Sequence, residues 1–178
     1  MNESIKAFFV YGTLCRGQCR EHLWPAQPIR IVEAWTYGTL YGRADYPAMR
    51  NGTDKVAGEY WSFDPKDMSR VIAALDEIEG THQVGQPNLY DRVIIDVYKR
   101  TNEEAHAMLE PNPTNKPSLE SLDKKPLDDL AIDDNSTNHS PFDRAYGYHY
   151  AIDPIADGFQ QISKSVRQTS PCVKWPTE

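Results

Sequence analysis

Two short stretches of the chain combine residue types that can do chemistry. The first is Val10-Tyr11-Gly12-Thr13-Leu14-Cys15-Arg16-Gly17, a β-rich run that breaks into a glycine-containing turn. Such a turn can aim consecutive backbone N–H groups at one point and hold a carboxylate or phosphate without a charged side chain. Thr13 would add a hydroxyl and Arg16 a positive charge. The spacing lacks the Gly-x-x-x-x-Gly-Lys-Ser/Thr pattern of a nucleotide loop. The second stretch is Leu75-Asp76-Glu77-Ile78-Glu79-Gly80. Leu75 and Ile78 continue an apolar helical stripe, and Glu79 lies about 100° round the helix from Ile78, at the stripe's edge. There it meets the negative pole of the helix and the charge of Asp76 one turn earlier, both of which disfavour ionisation. Helix ends favour Lys or Arg, so an acid at this position breaks a local rule, and broken local rules mark functional or strained sites. A glutamate with a raised pKa is suited to take a proton in one step and return it in the next. Taken singly, each stretch has a plainer reading, as a simple turn and as an exposed glutamate on a fraying helix.

The remaining reactive residues form weaker patterns. Cys15 and Cys19 are four apart with no second pair, and the histidines at 22, 82, 106, 139 and 149 lack ligand spacing, so no metal site is expected. A Cys15 thiolate beside an anion-binding loop is a rival nucleophile, but no His partner is selected for it. His82 reads as a loop residue near Glu79. Four Trp and ten Tyr without a basic stripe make core and sheet residues rather than a base-stacking surface.

Positioning these groups falls to a run of strands and one helix. Ala7 to Tyr11, Ile29 to Tyr41, Val56 to Phe63, Arg92 to Tyr98 and Ala145 to Ala151 read as strands, with Ala105 to Leu109 a further candidate. The helix is expected to start with Asp64 as its cap and Pro65 in its first position, and to stop at Gly80. Met68, Val71, Ile72, Leu75 and Ile78 recur at helical spacing and would pack on the sheet. The pattern predicts an α+β domain, a small mostly antiparallel barrel-like sheet with one principal packed helix.

A length of 178 residues fits one domain with an appendage, and a net charge of −7 argues against a nucleic-acid binder. Residues 101–143 hold ten acids and three Lys, so that segment carries the whole net charge. Residues 110–143, rich in proline and acid and poor in aromatic residues, are expected to be a largely disordered insertion, leaving 1–109 and 144–178 as one domain. No apolar run reaches membrane-spanning length and the start lacks a signal-peptide layout, so a cytoplasmic location is expected.

The Tyr-Gly-Thr-Leu of residues 11–14 and the later Leu75-Asp76-x-x-Glu79-Gly80 resemble the gamma-glutamylcyclotransferase-like family. Gly38-Thr39-Leu40-Tyr41 followed by Tyr46-Pro47-Ala48 is similar to that family's second strand and its loop. Val56-Ala57-Gly58-Glu59-Tyr60 is similar to its Val-x-Gly-Glu strand, and Leu89-Tyr90-Asp91-Arg92 to its Tyr-x-Arg after the acid. The resemblance implies a small barrel-like fold that releases 5-oxoproline from a gamma-glutamyl compound without metal or cofactor. It implies that Tyr11, Gly12, Thr13 and Leu14 form the loop whose backbone grips the glutamyl α-carboxylate, that Glu79 is the acid/base glutamate, and that Tyr90 supplies an aromatic hydroxyl beside the site; it leaves a direct role for Arg92 open. Tyr-Gly-Thr-Leu, in place of the more typical Tyr-Gly-Ser-Asn, matches the branch that includes gamma-glutamylamine cyclotransferases, so the leaving amine stays open. The expected partner is a small gamma-glutamyl amine or peptide, with no nucleic acid and no membrane. A non-catalytic anion-binding or regulatory module is the alternative from another class. An enzyme of the same fold that releases a gamma-glutamyl group from a biosynthetic intermediate is a third.

Overall fold

Strand β1 (Ala7–Val10) is buried along its whole length because it separates two cores. Alternate side chains of a strand face opposite ways. Phe8 and Val10 accordingly pack with Met68, Val71 and Leu75 of the helix, whereas Ala7, Phe9 and the following Tyr11 pack with Leu40, Met49, Val56 and Val97 inside the sheet. The structure is a computed structural model that describes residues 4–100, 140–163 and Trp175.

The other elements are β2 (Arg30–Gly42), β3 (Pro47–Ser62), α1 (Met68–Ile78), β4 (Tyr90–Lys99), β5 (Asp143–Tyr150) and a two-residue β6 (Gln160–Gln161). Strand β1 lies antiparallel to β3 and parallel to β5, β5 pairs with β4, and β4 meets β2 through Ala34↔Lys99 and Trp35↔Tyr98. The β2–β3 pairing closes the ring, giving a five-stranded barrel with β6 added at the end of β2. Helix α1 covers one side of this barrel, the α+β arrangement expected from the sequence. Among the described residues no helix is long and apolar enough to cross a membrane.

Several boundaries differ from the sequence reading. Strand β3 begins at Pro47, far ahead of Val56, because Asn51-Gly52-Thr53 does not turn the chain. It is taken up where the β2–β3 register shifts between Gly38↔Asp54 and Thr39↔Arg50, a bulge that bends the sheet as barrel closure requires. The helix begins at Met68 rather than Pro65. Asp64 caps a preceding turn instead, its Oδ1 accepting the Lys66 N–H at 3.0 Å. Ala105 to Leu109 and residues 110–139 lie outside the described residues; of the acidic segment only 140–143 are described, and there the Phe142 N–H donates to the Val97 carbonyl.

Closure brings backbones together tightly at Gly58, where a Cβ would stand 2.3 Å from the Val10 carbonyl oxygen and 2.6 Å from Phe9 Cζ. A backbone oxygen in a paired strand cannot yield as a flexible side chain would. Gly58→Ala is therefore expected to lower stability by about 2–3 kcal/mol, read as a reduced urea midpoint; an unchanged midpoint would mean that the barrel tolerates a wider β1–β3 spacing.

Candidate functional site

Beyond β1 the chain enters the Tyr11 to Leu14 loop, where the carbonyl groups of Gly12, Thr13 and Leu14 are engaged. Gly12 O accepts the Cys15 N–H at 3.0 Å, Thr13 O the Arg20 N–H at 2.9 Å, and Leu14 O the Trp24 Nε1–H at 3.0 Å. The N–H groups of Gly12, Thr13 and Leu14 have no acceptor among the described residues. The peptide units are thus held by their oxygens with their donors left over, as an anion-binding turn requires. Gly12 must be glycine, since a Cβ there would come within 2.4 Å of Pro47 Cγ. Pro47 is itself anchored, its carbonyl accepting the Tyr90 hydroxyl at 2.6 Å.

The second component sits at the end of α1. The Thr81 N–H donates to Asp76 O at 2.7 Å and the Gly80 N–H to Glu77 O at 3.3 Å, with Gly80 at φ +64, a Schellman ending in which Glu79 is the last helical cap. The chain beyond is clipped to β4 by Thr81 Oγ1 donating to Tyr90 O at 2.7 Å and by the Leu89 N–H donating to Gly80 O at 3.1 Å. Glu79 is therefore fixed to the barrel on both sides rather than carried on a fraying end.

One open cavity is lined by Tyr11, Gly12, Thr13, Leu14, Glu79 and Tyr90, all six residues named from the sequence. Arg20, Tyr46, Pro47 and Tyr148 join them with the apolar Phe9, Val10, Ile78 and Leu89. Glu79 retains some contact with solvent but has protein on most sides, and its carboxylate has no hydrogen-bond or ion-pair partner among the described residues. Its burial raises its pKa from 4.5 to about 7, against a smaller downward pull from the Arg20 charge. The direction agrees with the sequence reading; the cause does not. Asp76 is not what raises it, because its carboxylate is engaged elsewhere, accepting the Tyr148 hydroxyl at 2.8 Å and pairing with Arg92 at 3.3 Å.

The hydroxyls of Tyr11, Tyr90 and Tyr148 are committed. Tyr11 donates to Tyr148 O at 2.8 Å and Tyr90 to Pro47 O. Burial raises the pKa of Tyr11, Tyr90 and Tyr148, so these groups stay protonated. Three residues considered from the sequence are not part of the lining. Arg16 turns away to Glu59, its Nε donating to Oε1 at 2.7 Å and its backbone N–H to Oε2 at 2.9 Å. The Cys15 thiol donates to Val10 O at 3.4 Å, and His82 sits in the loop at φ +56 with its N–H on Asn88 Oδ1. Arg20 and Tyr148 carried no local sequence signal: one lies in an irregular segment, and the other looked like any aromatic of a closing strand.

Residues 8–124, well over half of the chain, match the family model described as gamma-glutamyl cyclotransferase, AIG2-like. No curated protein matches the sequence. Similar solved structures include an AIG2-like protein of Mus musculus, at 17% identity with 99% of each chain covered and a TM-score of 0.46. An uncharacterized protein of Pyrococcus horikoshii is 18% identical over 85% of this chain and 81% of that one, with a TM-score of 0.44. The family assignment rests on the family model.

The raised pKa of Glu79 has a consequence for stability. The native protein holds this proton more tightly than the unfolded chain does, so the group's contribution is greatest below the ordinary value of 4.5 and is lost as the pH rises through about 7. Glu79→Gln removes the titration. Relative to wild type it is expected to gain about 2 kcal/mol between about pH 5 and pH 8, the full shift being discounted for partial exposure. Denaturant titrations across that range check it; parallel curves for the two proteins would contradict it.

Proposed function

Since the chain belongs to the gamma-glutamyl cyclotransferase, AIG2-like family, we propose that it releases 5-oxoproline and a free amine from a gamma-glutamyl amine or peptide, with Glu79 as general acid/base. The observation that carries this reading is a carboxyl group with a pKa of about 7 and no protein partner, in one cavity with three uncommitted loop N–H groups.

The chemistry needs little from the protein. The substrate's own α-amine attacks its γ-carbonyl, forming the ring C–N bond of 5-oxoproline while the bond to the leaving nitrogen breaks. Folding the glutamyl chain so that these atoms meet supplies much of the acceleration. The N–H groups of Gly12, Thr13 and Leu14 hold the α-carboxylate, and any donor that faces the γ-carbonyl steadies the oxyanion as it develops. Glu79, ionised, takes a proton from the α-ammonium group; protonated, it gives one to the departing amine. A carboxyl group that titrates near neutrality performs both steps without a large penalty in either direction. The committed hydroxyls of Tyr11 and Tyr90 shape the cavity with their rings and do not supply protons. A module that only bound an anionic glutamyl group would gain nothing from an unpaired carboxylate in its cavity, which favours the enzyme over the binding reading.

The test is incubation of the full chain with a panel of gamma-glutamyl amines and peptides, with release of 5-oxoproline as the readout. Wild type is expected to turn over at least one member, with the acid limb of kcat/KM near pH 7. Glu79→Gln is expected to bind that substrate, measured by calorimetry, and to lose turnover by about a hundred- to ten-thousandfold. Wild-type turnover in the variant would remove Glu79 from the mechanism. Binding without product from any panel member would leave the anion-binding module.

A further inference from the structure

Arg20 is a cation with no assigned task. Arg20 is among the residues lining the cavity, is half-buried, and its guanidinium forms no ion pair or hydrogen bond among the described residues. Two other arginines of this part of the chain are paired: Arg16 holds Glu59, and Arg43 holds Asp45 and Asp157. Arg20 does not bond Glu79, although it lies near enough for its charge to be felt there. Its position is set by its own backbone, since the Arg20 N–H donates to Thr13 O and the Arg20 carbonyl accepts the Leu23 N–H at 3.0 Å. The anchor returns residue 20 alongside the loop whatever the side chain does.

We infer that Arg20 is a specificity-determining residue that reads a carboxylate on the leaving side of the substrate, selecting gamma-glutamyl compounds whose departing amine is itself an amino acid. The inference rests on the cyclotransferase reading above. Three loop donors already suffice for the α-carboxylate, and one group of that kind leaves the guanidinium unused. On the proposed mechanism Glu79 hands its proton to the departing nitrogen, so a cation close to Glu79 is close to that nitrogen. An α-amino acid leaving group carries its carboxylate on the carbon bonded to that nitrogen. A carboxylate there would meet Arg20 in a charge-assisted, two-pronged contact that a plain alkylamine cannot make. Among the described cavity residues Arg20 is the one permanently charged cation, so the selectivity is attached to a single side chain.

Gamma-glutamyl-alanine and gamma-glutamyl-ethylamine differ only by that carboxylate, and the ratio of their kcat/KM values isolates it. Arg20→Gln also removes a charge that lowers the Glu79 pKa, but that change acts on both substrates and cancels in the ratio. Wild type is expected to prefer the alanine compound, and Arg20→Gln to shrink the preference by about ten- to a hundredfold, while Arg20→Lys keeps part of it and serves if the Gln variant does not fold. An unchanged ratio overturns the inference, whether both rates fall together, as they would if Arg20 held the α-carboxylate, or neither falls. If wild type releases 5-oxoproline from neither compound, the cyclotransferase reading fails separately. Calorimetry with wild type and Arg20→Gln then decides this inference: tighter binding of the alanine compound that the variant loses supports it, and equal or absent binding overturns it.

Discussion

A carboxyl group without a partner, held where water is scarce, is the constraint around which this site is arranged. Burying an ionisable group unpaired is unfavourable, and a protein ordinarily relieves it with a cation or hydrogen-bond donors. Here no cation or donor bonds Glu79 among the described residues, and the nearby Arg20 charge offsets only a smaller part of the effect of burial. The Schellman ending of α1, the positive φ of Gly80 and the clip from Thr81 to Tyr90 O keep the residue from swinging into solvent. Asp76, one turn back, is neutralised by Arg92 and hydrogen-bonded by Tyr148, so its charge does not add to the burden on Glu79. The proton affinity of Glu79 is thus set mainly by how much water the cavity admits.

The opposite wall works by the complementary device. From Gly12 to Leu14 the carbonyls are engaged and the N–H groups are not, which turns ordinary backbone into a patch of positive potential without a charged side chain. Its rigidity comes from packing: Gly12 lies against Pro47, whose carbonyl is tied to Tyr90, and the Trp24 indole reaches back to Leu14. Glu59 of β3 secures the far end of the same segment through Arg16 and also accepts the Trp61 indole N–H at 3.0 Å. Barrel closure is what brings β1, the start of β3 and the end of α1 to one place.

Local signals reached much of this. The apolar run of β1, the stripe Met68, Val71, Leu75 and the glycine stop at 80 are short-range patterns, and they located the strand, the helix and the acid at its end. What escaped depends on distant partners. Asn51-Gly52 has the composition of a hairpin turn, but pairing with β2 absorbs it as a bulge, so β3 starts earlier than its apolar part suggests. Arg16 looked like a charge for the anion site, yet Glu59, remote in sequence, claims it. Asp76 looked like the charge that perturbs Glu79, and only the fold reveals Tyr148 and Arg92 beside it. Arg20 lies in a stretch with no periodicity, where nothing local distinguishes a cavity cation from a solvated one.

The most direct test is to titrate the Glu79 carboxyl itself, by carbon NMR of protein labelled at glutamate side-chain carboxyls, with Glu79→Gln assigning the resonance by its loss. A midpoint near 7 is expected, well above the ordinary 4.5. A midpoint at the ordinary value would mean that water reaches this side chain freely, and that it is not placed to pass a proton back and forth.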